Sequence, residues 1–225
     1  MKPLELDLGA MLLGSGRCRF RVWSPFVDSV EVHVRSPQER MEPLRRDRLG
    51  YHCGVLDGIV PGALYLFRLN GSLERPDPAS RFQPQGVHGP SQVAGPAFDW
   101  TDGNWRGLPL QHYIMYELHV GAFTAPGTFD AAIERLDDLT ALGITAVELM
   151  PVAQFPGERN WGYDGVFPCA AQISYGGPQG LKRFVNACHA RGLAVVLDVV
   201  YNHLGPEGNY LKDFAPYFSD VYRTP

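Results

Sequence analysis

Polar and apolar residues alternate with period two through the first third of the chain. Phe20 and Val22 sit among Arg19, Arg21 and Trp23, Val30, Val32 and Val34 alternate with Glu31 and His33, and Tyr65, Phe67 and Leu69 form a third set. Turn residues separate these runs at Ser24-Pro25, Ser36-Pro37, Pro61-Gly62 and Asn70-Gly71. Short alternating strands with such punctuation predict a β-sandwich over residues 1–95. Asn70-Gly71 is a hairpin signal within it. Residues 72–111 are rich in Pro, Gly and Asp but also hold Phe82, Phe98, Trp100 and Trp105, too many aromatics for a disordered linker. Residues 96–112 are therefore read as an ordered connector.

The period changes after Tyr113. Residues 113–120 read as a strand. Phe129, Ile133, Leu136, Leu139 and Leu142 then recur at helical spacing, between a candidate N-cap at Thr128 and a stop at Gly143. A strand over 144–150 follows, then a helix from Pro178 to Gly192 through Leu181, Phe184, Val185 and Cys188, then a strand ending at Asp198. Strand, helix, strand, helix, strand predicts α/β structure with parallel pairing over residues 113–225. An eight-fold barrel and an open doubly wound sheet both begin this way, and no GxGxxG follows any strand to favour a dinucleotide site.

The run Leu193-Ala194-Val195-Val196-Leu197 is continuously apolar, as suits a parallel strand buried on both faces. It ends in Asp198, with Asn202 and His203 just beyond. Polar groups at the carboxyl ends of parallel strands build active sites, so these three are candidate site residues. A capping Asp and a surface His are the alternative. Trp161-Gly162-Tyr163-Asp164-Gly165 lies in a βα connection far longer than the usual few residues. Its aromatic faces could stack on a sugar ring or pin the loop down. His119 and His189 are read as structural, and Trp23 and Trp100 as core residues. Gly205-Pro206-Glu207-Gly208-Asn209-Tyr210 lacks the Gly-Lys-Ser/Thr ending of a phosphate loop.

Composition narrows the class. The chain has 225 residues and a formal net charge of −4, with its Lys and Arg scattered. No basic patch predicts nucleic-acid binding, and no run approaches the ~20 apolar residues of a membrane span. The start, Met1 to Leu8, carries two acids and does not read as an export signal. Cys18, Cys53, Cys169 and Cys188 lack metal-type spacing, so reduced thiols and a cytoplasmic location are expected.

Asp198-Val199-Val200-Tyr201-Asn202-His203 resembles the Asp-x-x-x-Asn-His region of the α-amylase superfamily, and Trp161-Gly162-Tyr163 precedes it in matching order. Within that superfamily the likeness is to the malto-oligosyltrehalose trehalohydrolases. It is carried by Pro76-Asp77-Pro78-Ala79-Ser80-Arg81-Phe82-Gln83-Pro84, Gly86-Val87-His88-Gly89-Pro90, Tyr116-Glu117-Leu118-His119-Val120-Gly121 and Gly205 to Leu211. The resemblance implies an immunoglobulin-like sandwich followed by the first three strands of a (β/α)8 TIM barrel. It also implies hydrolysis of the α-1,4 bond beside the trehalose end of an α-1,4-glucan oligosaccharide. Tyr163, with Trp161 beside it, would then meet the sugar, His203 would bind its hydroxyls, and Asp198 would pair with an arginine. Asn202 stands where many α-amylases ligate calcium, but neither calcium nor any other cofactor is expected. The nucleophile Asp and acid Glu of the family belong to later strands, so they are expected beyond residue 225, and the 225 residues alone are expected to be inactive. The third strand is then expected to be an open apolar edge, with Val195, Val196 and Leu197 losing burial. A glycogen branching or debranching enzyme, and a non-catalytic α-glucan-binding protein, are the rival readings.

Overall fold

The computed structural model describes residues 7–219. The first six residues, on which the reading of the chain's start depends, lie outside them. The described chain forms two compact units. One holds the residues up to Gly95 together with those from Gly208, and the other runs from Pro96 to Glu207.

The first unit is built on two antiparallel sheets. β1 (Gly9–Gly14), β2 (Arg17–Trp23), β6 (Tyr51–Asp57) and β5 (Arg45–Arg46) lie in that order in one. β4 (Arg40–Pro43), β3 (Val30–Ser36), β7 (Leu64–Leu69) and β8 (Leu73–Arg75) form the other, with β9 (Ser91–Gln92) also paired to β7. The period-two sets decide the inward faces. Cys18, Phe20 and Val22 from one sheet and Val30, Val32, Val34, Tyr65, Phe67 and Leu69 from the other share a single core. Asn70-Gly71 turns β7 into β8, with the Ser72 amide donating to the Leu69 carbonyl at 3.1 Å.

The residues from Gly208 were expected in the α/β region; instead they pack with the sheets. Phe214 is buried there and meets Phe67 edge-on at 6.3 Å. The Ser24 hydroxyl donates to the Phe214 carbonyl at 2.8 Å, and Arg75 pairs with Asp213 at 2.6 Å. The apolar Phe214 was too isolated in sequence to announce this.

In the second unit, β10 (Met115–Leu118), β11 (Ala146–Leu149) and β14 (Ala194–Leu197) form a parallel three-stranded sheet in that order, with Leu118, Leu149 and Leu197 in register. A short antiparallel pair, β12 (Ala153–Gln154) and β13 (Phe167–Ala171), sits in the long insertion. The helices are α1 (Val120–Phe123), α2 (Phe129–Ile133), α3 (Leu136–Ala141) and α4 (Gly177–Ala190). The single helix expected from Thr128 onward is thus broken at Glu134-Arg135. Thr128 does cap it, its side chain accepting from the Ala131 amide. Phe129, Leu136 and Leu139 are buried in one core with Phe184 and Cys188 of α4, but Leu142, the residue just past α3, is 72% exposed.

The connector packs on α4. Asp102 pairs with His189 at 2.6 Å, Trp105 stacks on the same imidazole at 4.7 Å, and the Thr101 amide donates to Asn186 Oδ1 at 2.9 Å. His189 is structural, as expected. Trp100 is not a core residue: it is 46% exposed, and Phe98 meets its ring edge-on. β14 is an edge of its sheet, and Val195 and Val196 are half-buried and Leu197 exposed.

Candidate functional site

The in-register strands deliver three points to one edge of the parallel sheet: His119 after β10, Met150-Pro151 after β11, and Asp198 after β14. A cavity of about 140 Å³ opens there, lined by Pro151, Gly162, Leu197, Asp198, Val200 and His203 among others. Most of the remaining lining is aliphatic, so Asp198 and His203 stand as polar groups on an apolar wall.

Asp198 continues the ladder, its amide donating to the Leu149 carbonyl at 2.9 Å. Its half-buried carboxylate has no ion-pair partner among the described residues. His203 lines the same cavity, and its Nε2 donates to the main-chain carbonyl of Tyr163 at 2.8 Å. A carbonyl can only accept, so Nε2 carries a proton; Nδ1 faces Oδ1 of the exposed Asn202 at 3.1 Å. One ring nitrogen of His203, a residue expected to bind sugar hydroxyls, thus bonds protein backbone.

The loop bearing Trp161 and Tyr163 is tightly constrained. Asn160 Oδ1 accepts from the Gly162 amide at 2.7 Å and the Asp164 amide at 3.4 Å, closing an Asx turn. Gly162 holds φ +104°, and a Cβ there would come 3.1 Å from Pro151 Cδ. Gly205 seals the other side: its amide donates to the Gly165 carbonyl at 3.0 Å, and a Cβ on it would lie 2.3 Å from the Asp164 carbonyl oxygen. The outcome is a rigid turn whose side chains point outward. Trp161 is 85% and Tyr163 43% exposed, which argues against a hydrophobic pin for the loop.

The structure therefore brings Asp198 and His203 to one cavity, with the Tyr163 carbonyl bonded to His203, Trp161 on the adjoining turn, and Asn202 outside. Sequence reasoning missed Asn160 and Gly205. An Asn two residues before a Gly was the available signal for the first. The second was dismissed with the phosphate-loop pattern, although its backbone contact is what its lack of a side chain permits.

At the carboxyl edge of the parallel sheet, one cavity is lined by Gly162 of the Trp-Gly-Tyr turn and by Asp198 and His203 of the Asp-to-His segment. Residues 92–223 match the model of the α-amylase catalytic domain, and the chain belongs to the α-amylase family. Its curated relatives include the malto-oligosyltrehalose trehalohydrolase of Saccharolobus solfataricus, 48% identical over 206 residues. That match covers 92% of this chain and 36% of the relative. The trehalohydrolase of Mycobacterium tuberculosis is 55% identical over 207 residues, covering 90% of this chain and 35% of that protein. Among solved structures, a candidate α-amylase from Salmonella typhimurium superimposes with a TM-score of 0.93 at 41% identity, over 97% of this chain and 37% of that one. The chain thus spans about a third of the length of the relatives it matches.

Proposed function

We propose that this chain forms the leading portion of a glycoside hydrolase that cleaves the α-1,4 bond next to the trehalose end of a maltooligosyltrehalose, releasing trehalose. Its two facing sheets are the immunoglobulin-like module of such enzymes, and its three parallel strands are the first three of a (β/α)8 barrel. Within that scheme Tyr163 offers its exposed ring to the apolar face of a glucose unit, and Trp161 extends the platform. Asp198 supplies a charged group in the adjoining cavity, and His203 holds the Tyr163 carbonyl and with it the base of the platform. Retaining hydrolysis needs a carboxylate pair about 5–5.5 Å apart, and no carboxylate of this chain is assigned to that pair. The described residues thus bind and orient sugar, and exclude water along the aliphatic wall.

The observation that carries this reading is the His203 to Tyr163 bond, which joins two distant motifs at one cavity. The identity to two trehalohydrolases supports the substrate end of the proposal. No helix among the described residues is long and apolar enough to cross a membrane, and no disulfide joins the described cysteines. The free thiols fit the reducing, cytoplasmic setting that is part of this proposal.

The test is to incubate the protein, joined to the sequence that follows residue 225 in its gene, with maltooligosyltrehalose. Free trehalose, lost on Y163A, supports the reading. Branched glucan, or no change in the oligosaccharide, overturns it.

A further inference from the structure

We propose that His119 is a positioning residue for the sugar-facing turn, acting through the main chain of Asn160. His119 leaves the end of β10, and its Nε2 lies 2.7 Å from the Asn160 carbonyl oxygen. That oxygen accepts, so Nε2 is the protonated nitrogen. The Tyr175 hydroxyl stands 3.5 Å from the same nitrogen, and the two rings meet edge-on at 6.1 Å. Gly121 leaves room for this arrangement, since a Cβ there would come 3.0 Å from Tyr175 Cε1 and 3.1 Å from His119 Cε1. Nδ1 is buried with no partner among the described residues. Burying a polar nitrogen without a partner is unfavourable, so packing alone would favour an apolar ring at this position. The bond made by Nε2 is what the histidine supplies.

Asn160 is the hub of the turn. Its side chain accepts from the amides of Gly162 and Asp164, and its Nδ2 donates to Asp164 Oδ2 at 3.3 Å. Fixing its carbonyl therefore fixes the peptide plane that precedes Trp161, and its side chain carries that anchor on to the Gly162 and Asp164 amides. Three residues on, His203 holds the Tyr163 carbonyl. Two imidazoles from opposite sides of the sheet, one after β10 and one after β14, grip the same short turn. Loss of either one removes a hydrogen bond that anchors one end of the turn. That Tyr163 meets a sugar rests on the function proposed above; the grip itself does not.

Amide hydrogen exchange on the 225-residue chain tests this, with H119F, H119Q and H119N compared to wild type. The glutamine amide reaches the Nε2 position and keeps the donor, whereas asparagine reaches only Nδ1. Removing one hydrogen bond lowers protection of the Gly162 and Asp164 amides about tenfold in H119F and H119N. H119Q retains wild-type protection. Unchanged protection in folded H119F, or equal loss in the glutamine and asparagine variants, overturns the proposal. Should H119F fail to fold in a urea melt, the contrast between glutamine and asparagine decides. Maltohexaose binding by wild type is measured on the same sample. Absent binding with an intact exchange contrast counts against the proposed function and leaves the grip standing.

Discussion

Replacing Gly205 with alanine tests whether the Trp-Gly-Tyr turn is held by backbone contact. The new Cβ would fall 2.3 Å from the Asp164 carbonyl oxygen, 2.9 Å from its carbon and 3.2 Å from its Cα. All three are main-chain atoms, so no side chain can swing aside. The 160–165 segment must retreat by roughly 1 Å to restore ordinary contact distance. Overpacking of this kind costs about 1–3 kcal/mol. Retreat also lengthens the bond from the Gly205 amide to the Gly165 carbonyl, now 3.0 Å, with a further loss of about 1 kcal/mol. The expected destabilisation is therefore about 2–4 kcal/mol, read from the urea midpoint of the second unit. G103A is the control, because a Cβ there meets nothing within 4 Å and the backbone is not left-handed. It should stay within about 0.5 kcal/mol of wild type. A G205A midpoint indistinguishable from that of G103A would refute the contact argument.

Two further predictions concern buried groups. Burial pushes the Asp77 carboxyl up to about 6, against hydrogen bonds from the Tyr65 hydroxyl and the Ala79 amide and the nearby Arg81 cation. A folded pKa above the unfolded value of about 3.9 means that the folded chain binds the proton more tightly. The contribution of this group is therefore fully present below about pH 4 and is lost as pH rises through 6, by about 3 kcal/mol in all. In urea melts wild type should lose stability relative to D77N as pH rises from about 4 to above 6; a pH-independent difference would contradict it. Burial also pushes the Cys18 and Cys188 thiols up to about 12, while Cys169 is exposed. At pH 8 an aromatic disulfide reagent should modify Cys169 first and reach Cys18 and Cys188 only on unfolding, and mapping of the labelled peptides checks the order.

What was legible in the sequence was what periodicity encodes. The alternation at Phe20-Val22, at Val30 to Val34 and at Tyr65 to Leu69 became the two inward faces because a strand has no other way to bury every second side chain. The spacing of Phe129, Leu136 and Leu139 gave the helical face, but not the break at Glu134-Arg135, since propensity alone marks no stop there. The return of Phe214 to the first core was invisible because one buried ring in a four-residue helix has no period. At the site, Asp198 and His203 were legible as polar residues closing an apolar run. Their orientation was not. That Nε2 of His203 would face a carbonyl rather than open space depends on where a loop 40 residues away folds back.

That fold-back explains the length of the insertion after β11. A connection of a few residues could join a strand to its helix without passing over the sheet edge. This one detours through β12 and β13, and in doing so it lays Asn160 to Gly165 across the ends of the sheet. Each strand end then supplies a different constraint: His119 an N–H, Pro151 a steric wall against Gly162, and the segment after β14 both His203 and the bare backbone of Gly205. None of these contacts uses the Trp161 or Tyr163 side chain, so both rings are free to be exposed on a rigid base. Ordering those rings before any ligand arrives removes part of the entropy cost of binding one. A turn built only for stability would have turned its indole inward, where burial is worth more than exposure.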